Sequence, residues 1–236
     1  MEAIMRQKGM IIIVTVIAAT LAGCQQKTQT DPAELSRSAT DARRAELNEQ
    51  LARRYENPEA HYELGKIFHQ EGNLLRAEQH YNVAMGFDPV HRRAQAAMVR
   101  LLKDRQESQR AQITADLYIN QAAASPDALM ALGRSFQREK LDDLALTSYQ
   151  RAMALAPNTA SIHKQLGYFY LAKNDQVRAE GYFRRSFEID PNQPDVAAEL
   201  GRMGVQVTIP PRKATGFLGP LRDAVSGDPD DDPTIK

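Results

Sequence analysis

The chain has 236 residues, and its 30 Lys and Arg balance its 30 Asp and Glu, so no global field draws it to nucleic acid or to an acidic membrane face. A single cysteine excludes an intramolecular disulfide, and stability has to come from packing. Tryptophan is absent and Ala and Leu dominate the apolar residues, a bias toward helix rather than strand.

Residues 1–23 read as an export signal. Arg6 and Lys8 precede an uncharged apolar run from Ile11 to Leu21, shorter than the ~20 residues that span a bilayer, and small residues follow at the break. Leu21-Ala22-Gly23-Cys24 resembles the lipobox of bacterial lipoproteins. That resemblance implies cleavage before Cys24, diacylation of its thiol and acylation of the new amino terminus. An ordinary signal peptide, or a short anchor, with a chance cysteine is the other reading. At ~0.8 kcal/mol per buried methylene, two or three acyl chains hold a protein on a membrane effectively for good. Gln25 stands where enteric-type sorting uses aspartate for inner-membrane retention, which implies the periplasmic face of the outer membrane. Residues 24–33 are polar and suit a flexible tether.

Within 34–56, Leu47, Leu51 and Tyr55 recur at helical spacing, so a helix is expected there as an N-terminal cap. A repeat then begins. Leu64-Gly65, Leu132-Gly133, Leu166-Gly167 and Leu200-Gly201 are separated by twice 34, 34 and 34 residues. The units run 58–91, 92–125, 126–159 and 160–193, and a fifth stops after one helix at 194–204. The first carries Leu64, Gly65, Phe68, Ala77, Tyr81, Ala84 and Pro89, and the third carries Leu132, Gly133, Phe136, Ala145, Tyr149, Ala152 and Pro157. The fourth carries Leu166, Gly167, Tyr170, Ala179, Phe183, Ser186 and Pro191.

These residues resemble the tetratricopeptide-repeat (TPR) family from Pro58 to about Met203. The resemblance implies an all-α, right-handed solenoid of paired helices A and B. Small residues at the eighth, twentieth and twenty-seventh places let helices approach, aromatics at the eleventh and twenty-fourth fill the space beside the crossing, and a proline ends helix B. Unit two departs from this pattern. Val99 replaces glycine, Ala115 the aromatic, Tyr118 alanine and Ala123 proline. An exchange of volume between Ala115 and Tyr118 would keep its core filled and leave a wider or irregular helix pair. One or two irregular helices spanning 92–125 is the alternative. The lone helix 194–204 would cap the last apolar face. Residues 205–236 lose the period, and Pro210-Pro211, Gly219-Pro220 and the run from Asp228 to Pro233 read as a disordered tail with an apolar island at Phe217, Leu218, Leu221 and Val225.

The patterns that carry chemistry are missing. There is no HExxH, no cysteine pair, no GxSxG elbow and no phosphate-binding glycine loop, so no catalytic residue, metal site or cofactor is expected. His61 and His163 occupy the fourth place of their units, a packing position in the family. The resemblance instead points to a groove lined by the A helices. Its register selects Tyr62 and Lys66 at the edge, Arg93, Arg100 and Lys103 from unit two, Arg134 and Arg138 from unit three, and Lys164 and Tyr168 from unit four. With only Asp104 and Asp127 counted against them, the centre is basic and favours an acidic protein or peptide ligand. A solvated, partly neutralised face is the competing account. The expected protein is a non-catalytic envelope lipoprotein, similar to TPR lipoproteins of pilus assembly, that helps assemble or localise an envelope complex. An adaptor for cell-wall enzymes is one alternative, and an enzyme with an unrecognised site is the other.

Overall fold

The computed structural model describes residues 32–208, and among them every regular element is an α-helix. In chain order these are α1 Pro32–Arg53, α2 Pro58–Gln70, α3 Leu74–Phe87, α4 Arg92–Asp104, α5 Ser108–Ala122, α6 Pro126–Arg138, α7 Asp142–Leu155, α8 Ala160–Ala172, α9 Gln176–Ile189 and α10 Pro194–Arg202. Four consecutive pairs, α2 with α3 through α8 with α9, are the A and B helices of an all-α solenoid. The expected attachment site at Cys24, the expected signal, the expected tether up to residue 31 and the island at 217–225 fall outside the described residues.

Helix starts follow from local chemistry. Pro58, Pro126 and Pro194 sit in the first turn, where the missing N–H has no partner to lose. Asn57 and Ser125 cap α2 and α6, their side-chain oxygens accepting from the N–H of Ala60 at 3.1 Å and of Ala128 at 3.4 Å. His91 does the same for α4 through Nδ1, 3.1 Å from the N–H of Ala94.

All four A helices end in the same way. The fifteenth residue of each unit is left-handed, with φ of 77° at Gly72, 64° at Gln106, 58° at Lys140 and 58° at Asn174. The next N–H then donates back to the eleventh carbonyl, Asn73 to Phe68 at 2.8 Å, Glu107 to Leu102 at 2.9 Å, Leu141 to Phe136 at 2.9 Å and Asp175 to Tyr170 at 3.0 Å. This is a Schellman closure, which satisfies carbonyls that the helix leaves open. Residues 92–125 thus contain both helices and the shared turn, despite their divergent sequence.

The seam between A and B is set by one contact. A Cβ added to Gly65 would lie 2.5 Å from the Tyr81 ring, and one added to Gly167 would lie 2.5 Å from the Phe183 ring. Tyr149 covers Gly133 in the same manner. The eighth and twenty-fourth places therefore share one volume. In unit two they hold Val99 and Ala115, both fully buried, so the bulk has crossed from helix B to helix A. This corrects the expected exchange with Tyr118, which is half-buried and donates its hydroxyl to Met85 Sδ at 3.3 Å. The helices of unit two approach each other less closely than those of the other units, as a pair without the glycine–aromatic contact should.

One apolar cluster runs from Tyr62 to Leu200, with Met203, Val205 and Val207 against its end. A second joins α1 to α2 through Leu47, Ala60, Leu64 and Ile67. Tyr55 lies beyond the end of α1 and is exposed, its ring 5.0 Å from that of His61.

The fourth place has a further task. His61 Nε2, Gln95 Nε2 and His163 Nε2 bond to the carbonyls of Tyr55 at 3.0 Å, Pro89 at 2.8 Å and Pro157 at 2.7 Å, each six residues upstream. Buried polar side chains thus fasten the chain that leads into each A helix.

Candidate binding groove

The face built by the A helices holds the residues selected by register, but α4 divides it. Ala96 and Ala97, at the two inner groove places of unit two, are buried because small side chains let α6 close in on α4. What remains open are separate hollows. The larger, of about 510 Å³, lies between the start of α2, the loop before α4 and the exposed side of α6, and includes Glu59, His91, Arg93, Arg134 and Arg138. A smaller one of about 270 Å³ includes Lys66, His69, Arg100, Asp104 and Glu139. Lys164 and Tyr168 stand apart, beside α10, and Lys103 lines neither hollow.

Most of these cations already have a carboxylate. Arg93 pairs with Glu59, which also meets His91 Nε2 at 3.3 Å. Arg100 lies 3.0 Å from Asp104, whose other neighbour is His69 Nε2 at 3.0 Å. Lys66 reaches Glu63 at 3.5 Å, and Lys164 reaches Asp195 at 3.1 Å. Tyr168 bonds to the same Asp195 at 3.4 Å. Burial raises the Asp195 pKa, but the hydrogen bond and charge of Lys164 outweigh it and hold the carboxyl below its usual range. Tyr62 is a floor rather than a contact point, since it is 5% exposed and lies beneath Arg93 and Lys66, 5.1 Å and 5.5 Å from its ring centroid. Burial pushes its hydroxyl pKa up.

Glu59, Glu63 and Asp195 were absent from the sequence count of opposing acids. The same register, applied to the second and sixth places of units one and five, would have found them. They change the charge balance of the face. Arg134 and Arg138, one helical turn apart on α6 and both exposed, make no ion pair among the described residues. Both draw down the Tyr149 hydroxyl pKa, which burial raises more strongly. Lys103 is likewise unpaired.

Glu139 went unnoticed because it falls just past the end of α6, outside the groove register. Burial raises its pKa, with His69, Lys66 and Arg100 acting in the opposite direction. Among the described residues no group of three His, Cys, Asp or Glu side chains is placed to hold a metal ion.

The tetratricopeptide-repeat family profile matches residues 36–90 and 130–194, just over half of the chain. The chain belongs to the tetratricopeptide-repeat family. Unit two lies in the gap between the matched segments, as its exchanged seam explains. The type IV pilus assembly protein PilF of Pseudomonas aeruginosa is 23% identical over 198 residues, which cover 80% of this chain and 69% of that protein. Solved structures with some likeness include MamA of Desulfovibrio magneticus RS-1, 21% identical over 67% of this chain and 90% of that one, with a TM-score of 0.36. A PilF structure from Pseudomonas aeruginosa is 24% identical over 62% of this chain and 67% of that one, also with a TM-score of 0.36. Repeats of this family serve in general as protein-interaction scaffolds.

Proposed function

We propose that the chain is a non-catalytic scaffold, tethered to the bacterial envelope through acylated Cys24, whose α6 face binds an acidic segment of a protein partner during assembly of a pilus-type machine. The observation that carries the binding reading is the pair Arg134 and Arg138, two exposed guanidinium groups with no carboxylate partner among the described residues, at the edge of a cleft of about 510 Å³. Two arginines one turn apart can each donate in bidentate fashion to carboxylates spaced along an extended or helical ligand. The pilus assignment draws on the 23% identity with PilF across 80% of the chain. The membrane assignment draws on the lipobox alone.

Partner capture tests the binding reading. Arg134→Glu with Arg138→Glu should lose the partner recovered by wild-type protein, with circular dichroism unchanged. Reversing Arg100 is the poorer test, because it would strand Asp104 beside His69. Retention of the partner by the double variant would move the binding surface off α6. Metabolic labelling with a fatty acid tests the tether, since label should enter wild-type protein and be absent from Cys24→Ser.

A further inference from the structure

We infer that the cleft beside Arg134 and Arg138 is the docking site of the chain's own acidic segment, Asp228-Pro229-Asp230-Asp231-Asp232, so that an external ligand must displace it. The inference rests on the groove reading above and adds the identity of the resident occupant.

Charge is the first ground. The cleft is lined by Arg92, Arg93, Arg134 and Arg138 against two carboxylates, Glu59 and Asp88. Glu59 is taken by Arg93 and His91, and Asp88 accepts from the N–H of Val90 at 3.1 Å. Arg92 is half-buried, donates to Gln95 Oε1 at 3.0 Å and feels the charge of Asp88, so the exposed excess resides on Arg134 and Arg138. Elsewhere on the A-helix face, Lys66, Arg100 and Lys164 have partners that an incoming carboxylate would have to replace, and Lys103, though unpaired among the described residues, lines neither hollow. The segment 228–232 brings four carboxylates within five residues, the densest acidic run outside the described part of the chain. Like charges so close repel one another, and a site with unpaired arginines relieves that repulsion.

Reach is the second. From residue 208 to Asp228 the chain supplies twenty residues, at ~3.3–3.6 Å each a span of up to ~66–72 Å. From α10 back to α6 is four helix steps, and at ~8–10 Å per step the distance is no more than ~32–40 Å. The segment can arrive with chain to spare. A linked ligand then acts at an effective concentration of order mM, enough to fill a site whose individual ion pairs are weak. Pro229 and Pro233 restrict the backbone of the segment and reduce the freedom lost on docking.

The test uses the full chain and a labelled synthetic peptide, Ser-Gly-Asp-Pro-Asp-Asp-Asp-Pro-Thr, followed by fluorescence anisotropy. In the variant with Asp228, Asp230, Asp231 and Asp232 all changed to Asn, the peptide should bind at least tenfold more tightly than to wild type. Adding Arg134→Glu and Arg138→Glu to that variant should abolish binding, and both proteins should keep the wild-type circular dichroism. Equal affinity for wild type and the Asn variant would overturn the docked segment while leaving the groove available to other ligands. Binding that survives the arginine reversals would place the segment elsewhere and overturn the inference. If the peptide binds neither form, the inference falls and the acidic-ligand reading of the groove falls with it.

Discussion

His61 and His80 meet through their Nδ1 atoms at 3.1 Å while His61 Nε2 bonds to the Tyr55 carbonyl at 3.0 Å. A carbonyl can only accept, so His61 carries its proton on Nε2, its Nδ1 accepts, and His80 donates. Burial lowers both pKa values from 6.5, and for His80 the charges of His61 and Arg76 add to the effect. A histidine with a depressed folded pKa stabilises the fold above its unfolded pKa, and that contribution is lost as the pH falls through the folded value. The thermal midpoint should therefore drop on acidification from about pH 7 to 5. His61→Phe combined with His80→Gln should flatten this slope, as differential scanning calorimetry at several pH values would show. A slope that persists unchanged would assign the acid sensitivity to other groups. In sequence His61 was legible as a packing residue from its fourth place, but not its pairing, because His80 lies nineteen residues away on the facing helix. The unpaired state of Arg134 and Arg138 was hidden for the same reason. It is defined by where Glu59 and Asp195 go, and those contacts join different units.

The helix pair is the element whose logic can be tested most directly. In unit three Gly133 lies under the ring of Tyr149, so Gly133→Val should force the helices apart at a cost of ~1–3 kcal/mol. Tyr149→Ala alone removes a fully buried ring and should cost ~3–5 kcal/mol. Together they recreate the Val99 and Ala115 arrangement, and the double variant should lose less stability than the sum of the two. Chemical denaturation of all four proteins measures the coupling. Strict additivity would mean that the two places do not share a volume. The 34-residue period made this architecture readable, because glycine and aromatic recur where the helices cross. Unit two was readable only by its length. Once its bulk moved to helix A, the glycine and the aromatic that mark a unit were gone, although Ala111 keeps the twentieth place and the Schellman turn at Gln106 its geometry.

At the scale of the whole molecule, the stack is held by nearest neighbours and closed at its ends by α1 and α10. Val196 and Leu200 of α10 are fully buried against the last pair. Val196→Asp would bury an unpaired carboxylate and should detach α10, exposing the last apolar face. Hydrogen exchange should then quicken in α9 and α8 before it does in α6 and α7, and uniform quickening along the chain would indicate a single cooperative block. The truncated fifth unit made α10 legible, and the helical spacing of Leu47 and Leu51 made α1 legible; the partition of the groove was not, since it depends on how far α6 advances over Ala96 and Ala97. That advance and the looser fit of α4 against α5 occur at the same joint. Arg93 on α4 and Arg134 on α6 stand on the two helices that this advance brings together, so the width of the larger hollow is set by how small the side chains of Ala96 and Ala97 are.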